Sequence, residues 1–269
     1  MIRNRSAFTR ITIAVMVATT LYLGLSSTVT AQEDDHESWN IPPNILAEAT
    51  QPKGFFHIAP MVGATGIYGD VTAQGQSAEV EFSPLDAAES LDLDVGVGVE
   101  VGYKHTSVLA DMRYLHAVTD QAELDDADDA RVDLRHFVSH LALHRTFSPH
   151  QNFDIGPVGG LRIIYSDARL GDDDALAAQS RQTWVEPVIG LRGRLELGEV
   201  FFIPYHADLG GLGIGSRITW QAYGALGFNV NGLDLELGYR HMYLDLDDTQ
   251  AITYDLNVGG PTLQAVFRY

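Results

Sequence analysis

The chain of 269 residues contains no cysteine, so neither a disulfide framework nor a thiolate metal site can organise it. Positive charge is scarce. Lys and Arg number 17 against 36 Asp and Glu, a formal net charge of −19. Nucleic acid is thereby excluded as a partner, because binding it requires a basic surface. Long apolar runs are also missing beyond the first 25 residues. None approaches the ~20 residues of a spanning helix, so any membrane crossing must use strands. A mean hydropathy of −0.03 suits a water-soluble protein, but a barrel whose strands face a polar lumen has a similar average.

What is present begins with a basic start (Arg3, Arg5, Arg10) and an apolar run from Ile11 to Leu25. Val29 and Ala31 then supply the small-residue pair of a signal-peptidase site. Residues 1–31 read as a cleaved secretory signal; a membrane anchor is the alternative, but the run is too short for it. Without them, 14 basic and 36 acidic residues remain, a net charge of −22. Residues 32–53, with Glu33, Asp34, Asp35, Glu37 and three prolines, read as an acidic periplasmic lead-in. Residues 54–269 make one further domain.

That domain alternates with a period of two. In LDLDVGVGVEVGYKH, Leu91, Leu93, Val95, Val97, Val99, Val101 and Tyr103 alternate with Asp92, Asp94, Gly96, Gly98, Glu100, Gly102 and Lys104. A period of two excludes a helix, and the run exceeds the ~5–6 residues of an ordinary strand. The pattern recurs at 108–114, 153–165, 185–196, 218–229 and 233–240, and ends in PTLQAVFRY, where Leu263, Ala265, Phe267 and Tyr269 share one face. Segments 54–68 and 131–147 alternate less cleanly, and a bulge near His136 and Phe137 would account for the second. Short connections (Lys104–Ser107, Ser148–Asn152, Leu197–Glu199, Asn231–Gly232) alternate with long links at 69–90, 120–130, 168–182, 209–216 and 246–258. Outer-membrane barrels keep short turns in the periplasm and long loops outside. The expected fold is all-β, a closed antiparallel transmembrane β-barrel of ten strands, or eight if 200–208 and a neighbour do not span. Phe55, Tyr103, Phe153, Phe201, Phe228, Phe267 and Tyr269 fall at the periplasmic ends, and Tyr165, Trp220 and Tyr243 nearer the outer ends, as two aromatic belts would.

From Trp184 onward the pieces WVEPVIGLRGR (184–194), ADLGGLGIGSRITWQ (207–221), LELGYRHMYLD (235–245) and GPTLQAVFRY (260–269) resemble a largely uncharacterised family of small proteobacterial outer-membrane β-barrels, in the style of OmpW- and OmpA-like proteins. The N-terminal half matches more loosely, and Leu212 stands where the family often has Phe. The terminal aromatic strand resembles the signal read by the barrel-assembly machinery. The resemblance implies the bacterial outer membrane as location, with lipid and lipopolysaccharide as surroundings, and no settled substrate.

The candidate chemistry is sparse. Inward acids (Asp92, Asp94, Glu100, Asp111, Asp154, Glu186, Glu196, Asp234, Glu236) nearly balance inward bases (Lys104, Arg113, Arg162, Arg192, Arg194, Arg240, Arg268). Balance favours cross-strand ion pairs filling a narrow lumen over a strongly selective pore. Acidic clusters at Glu123–Asp129, Asp172–Asp174 and Asp245–Asp248 could hold divalent cations, though none has EF-hand spacing; a solvated surface is the plainer reading. The Gly cluster 210–215 reads as a tight turn with positive φ, and as an anion-binding nest only in a sharper reading. Asp92 with Asp94, and His206 with Asp208, have the arrangement used by omptin proteases, yet alternating strands produce such pairs automatically. Ser83–Glu89 reads as a short capped helix, Ser83 at the N-cap and Pro84 at N1, serving as a lid or packed on the rim. No catalytic, cofactor or metal residue is assigned. The leading expectation is a non-enzymatic integral outer-membrane protein, structural or a narrow small-solute pore; an omptin-like surface hydrolase and a loop-mediated adhesin or receptor are the alternatives.

Overall fold

The structure, a computed structural model, describes residues 54–73, 76–90, 94–124, 127–172, 175–248 and 252–269. The signal and lead-in segments (1–53), Asp92, and the acidic tips Asp125, Asp126, Asp173 and Asp174 lie outside the described residues. The elements are β1 (Gly54–Gly63), β2 (Gly66–Ala73), β3 (Gln76–Phe82), α1 (Pro84–Ser90), β4 (Asp94–Tyr103), β5 (Thr106–Leu124), β6 (Ala127–Arg145), β7 (Phe147–His150), β8 (Phe153–Asp172), β9 (Ala175–Leu197), β10 (Phe201–Gly211), β11 (Ile218–Val230), β12 (Leu233–Asp248) and β13 (Ile252–Arg268).

They form one antiparallel barrel that closes where β1 pairs with β13, from His57 opposite Arg268 to Gly63 opposite Thr262. The wall has ten strands. β1 and β2 are the lower and upper parts of the first, pairing with successive stretches of β13. β3 and β4 are the two parts of the second, pairing with the upper end and lower half of β5. The alternative of eight strands fails because β10 pairs along its length with both β9 and β11.

Apolar side chains at alternating positions, among them Val101, Met112, Leu141, Leu143, Ile189, Leu191, Leu226, Leu237 and Leu263, point outward and are exposed. An apolar girdle of that extent on a closed barrel belongs against lipid. Tyr103, Phe201, Phe228 and Tyr269 border it at the short-turn end, and Tyr165 and Trp220 at the other. Phe55 is not in the belt. Its ring stacks on lumen-facing His57 at 4.8 Å, over Gly102, where any Cβ would meet it.

The four short turns fall as expected, Lys104 and Asn231 adopting positive φ. Lys104 therefore sits exposed in a turn, not in the lumen. The link at 209–216 holds the expected turn, but in the other four long links the described residues are mostly strand, with one short helix, and not loop. β5, β6, β8, β9, β12 and β13 run on as paired strands well beyond the belt.

The expected bulge at His136 and Phe137 is absent: β6 keeps unbroken register with β5 and β8 from Val132 to His144. Its muddled alternation has another cause. Outward residues of β6 change from Leu141 and Leu143 to Arg135, Asp133 and Arg131, while inward ones change from His144 and His140 to Leu134 and Val132. Below the change the outside is lipid and the inside wet; above it the outside is water and the inside dry. Outward polar positions above the belt carry ion pairs, such as Arg135 with Asp133 at 3.1 Å and Arg181 with Asp167 at 3.0 Å.

α1 begins as expected, with a reciprocal cap. The Ser83 amide donates to Asp86 Oδ2 at 2.9 Å, and the Asp86 amide to Ser83 Oγ at 3.2 Å. The helix packs on β2 and β13, with Ala87 buried in the core and Leu85 exposed. The Ser83 hydrogen bonds hold the Asp86 carboxyl below its ordinary pKa. The cap is therefore complete above the ordinary carboxylate range and is lost as pH falls through the lowered value. The protection of the Ala87 amide, its hydrogen exchange relative to the intrinsic rate at the same pH, is expected to fall in acid, and Ser83→Ala to remove that pH dependence.

Candidate functional site

The lumen is filled in layers, and each layer follows from strand parity. At the short-turn end, Arg194 Nη1 donates to Asp234 at 2.7 Å, joined by Arg268 and Asn229, while the Arg194 guanidinium lies 3.3 Å from the Phe202 ring. One level up, Glu100 gathers Arg192 at 3.2 Å, the Ser107 hydroxyl at 2.6 Å, and His57 and His144 at 3.6 and 3.9 Å.

The third level is the tightest. Arg162, with no exposed surface, donates Nε–H to His140 Nε2 at 2.6 Å. Its Nη1 reaches Glu186 Oε1 at 3.0 Å and Thr219 Oγ1 at 2.7 Å, and its Nη2 pairs with Asp208. Glu186, also fully buried, accepts further from the Ser216 and Thr219 hydroxyls, and Asp208 from Gln221. Gly210 makes this approach possible, since a Cβ there would lie 2.6 Å from Glu186 Oε1. Nearby, Arg113 pairs with Asp94, which also accepts from Thr65 Oγ1 at 3.1 Å.

Above these ion pairs the interior turns apolar. Leu115, Val138, Ile164, Trp184, Met242, Leu244, Leu256 and Val258 belong to one buried cluster, extended upward by residues such as Val71, Val80, Val132 and Leu170. Tyr254 stands within it, edge-on to Trp184 at 5.7 Å and hydrogen-bonded to Ser166. Between the lower layers and the Arg162 level remains a cavity of about 340 Å³, lined by His57, Glu100, Arg192, His206, Tyr223 and Arg240 among others. Its lower side is open to water: the side chains of Arg192 and Arg268 are 37% and 39% exposed, against 0% for Arg162.

Most inward charges expected from alternation thus do face the lumen. Of those grouped as an omptin-like site, the described ones are engaged as follows. Asp94 is buried on Arg113, and Asp208 on Arg162; His206 Nε2 lies 2.9 Å from Asp208 Oδ2 without hydrogen-bond alignment. In the glycine turn, Gly211, Leu212, Gly213 and Gly215 have positive φ, but the amides of Gly213 and Ile214 bond within the turn. Among the described residues, no group of three or more potential ligands is placed to hold a metal. Sequence reasoning missed the histidines. His136, His140 and His144 share one parity of β6, a spacing that would have placed them together had the phase of that strand been read.

The fold has known counterparts. The outer-membrane protease OmpT of Escherichia coli superposes with a TM-score of 0.54 at 10% identity, over 80% of this chain and 96% of that one. The fold is that of an outer-membrane β-barrel. OprG of Pseudomonas aeruginosa (TM-score 0.38, 14% identity, 80% and 96% covered) and Neisserial surface protein A (0.37, 11%, 80% and 97%) are more distant. No family model matches the sequence, and no curated protein matches it. The chain is an integral protein of the bacterial outer membrane, with short turns on the periplasmic side by the rule such barrels follow.

Proposed function

We propose that this protein is a closed, non-enzymatic outer-membrane scaffold, which holds a β-walled extension above the outer leaflet and offers no path through it. Arg162 carries this reading. It is wholly buried at mid-lumen between Glu186 and Asp208, beneath a continuous apolar core. A solute crossing the barrel would have to part both. Conduction needs a continuous path of sites weak enough to leave, and a fully desolvated ion-pair layer under dry packing is the opposite. Burial of Asp94 and Asp208 likewise speaks against surface hydrolysis, because neither carboxylate reaches a substrate arriving from outside.

The deciding experiment is single-channel recording on the purified full-length protein in planar lipid bilayers. The expected record is a flat baseline at moderate voltage. Regular conductance steps that scale with salt concentration would overturn the scaffold reading in favour of a narrow pore.

A further inference from the structure

The lumen ion pairs leave one cation over. Arg240 projects from β12 into the cavity with only 8% of its surface exposed. Among the described residues, no carboxylate stands within ion-pair distance of it, and its Nε–H is buried with no hydrogen-bond partner. Its guanidinium lies against the Tyr223 ring, 4.9 Å from the centroid. The Tyr223 hydroxyl meanwhile donates to Glu236 at 2.9 Å, so that carboxylate is turned toward the tyrosine. Asp111 and Asp94 act on Arg240 only from beyond contact distance, and both also act on Arg113. Every other arginine at the lumen's ionic levels has an acid beside it.

A buried cation with no carboxylate in contact is costly, and other buried polar atoms beside Arg240 are also unsatisfied. His144 Nε2 and Gln221 Oε1 are also buried without hydrogen bonds, and both residues line the same cavity. Unmatched polar atoms converging on one space of about 340 Å³ describe a pocket of the size that takes a small polar molecule. A guanidinium offers a planar fork of donors, the geometry that matches carboxylate and phosphate oxygens.

The geometry points to a binding site for a small oxyanion-bearing solute in the periplasm-facing lumen, with Arg240 as its counter-ion and the Tyr223 ring fixing the guanidinium. This goes beyond the scaffold reading and holds whether or not the roof conducts. The solute enters and leaves by the lower side, where Arg192 and Arg268 meet water.

The test is isothermal titration calorimetry on the folded full-length protein in detergent micelles, with inorganic phosphate and succinate as separate probes and sodium chloride as reference. Saturable one-site binding of phosphate or succinate is expected, identifying the anion class by which arm responds, and weakened at least tenfold by Arg240→Met. That variant removes an unpaired buried charge, so folding is expected to survive it. Should it fail to fold, the Arg240 Nε–H resonance of the wild-type protein supplies the second readout, shifting with the bound fraction of the probe. Absence of saturable binding of both probes, equal binding of chloride, or unchanged affinity in Arg240→Met would each overturn the assignment.

Discussion

Replacing Arg162 by Met is expected to destabilise the folded barrel by about 3–5 kcal/mol, the usual cost of removing one partner from a buried ion pair. Glu186 and Asp208 would be left facing each other's charge in a buried site, having lost the cation they share at mid-lumen. Equilibrium unfolding in urea from lipid vesicles measures this, followed by the band shift between folded and unfolded barrel. Adding Glu186→Gln and Asp208→Asn to the same chain is expected to restore much of the loss, because neutral amides no longer need the cation. Failure of that rescue would mean that the layer stabilises through packing and not through charge. The prediction concerns stability alone; conductance is expected to stay silent in the triple variant, since the apolar core above is untouched.

The second large effect lies in that core. Trp184 is buried on the inner face of β9, against the Tyr254 ring. Trp184→Ala is expected to cost about 3–5 kcal/mol, taken mainly from the part of the barrel above the lipid. There the strands are held by dry packing in water, as in any soluble sheet, while the lower strands are also confined by the membrane. Protease added to intact cells is therefore expected to cut the variant within the extension at rates well above wild type, with the membrane-embedded section left protected. Equal resistance of both proteins would show that the extension does not depend on its core. Ser166→Ala, which removes only the partner of the Tyr254 hydroxyl, is the milder control, at about 1 kcal/mol.

Strand count, closure and inward charges were legible in the chain because each is a matter of local parity. Val95 through Tyr103 announces its two faces without help from any neighbour, and the Asn231–Gly232 pair announces its turn. The upper half was not legible, for a physical reason. Alternation reveals that two faces differ; it does not say which solvent each one meets. Val132 and Leu134 look like lipid-facing residues until the water outside Arg131, Asp133 and Arg135 is known. Most of the expected long loops were misjudged for the same cause, since strands above the lipid carry polar side chains outward and so read as loop. Arg162 was recognised as an inward base, but its wholly buried setting was hidden, because its partners come from β6, β9, β10 and β11. The want of a partner at Arg240 was hidden more deeply, being a statement about every strand at once.

Tyr114, Phe137 and Tyr165 stand directly opposite one another across β5, β6 and β8, at the height where outward side chains exchange hydrocarbon for charge. Such a row is a waterline drawn on the hull. It sets the depth at which the molecule floats in the outer leaflet: sinking would drag Arg135 and Asp167 into oil, and rising would bare Leu141 and Leu161 to water. The draught of this barrel is thus written into the order of its side chains, and any lipid it settles in must accommodate that mark.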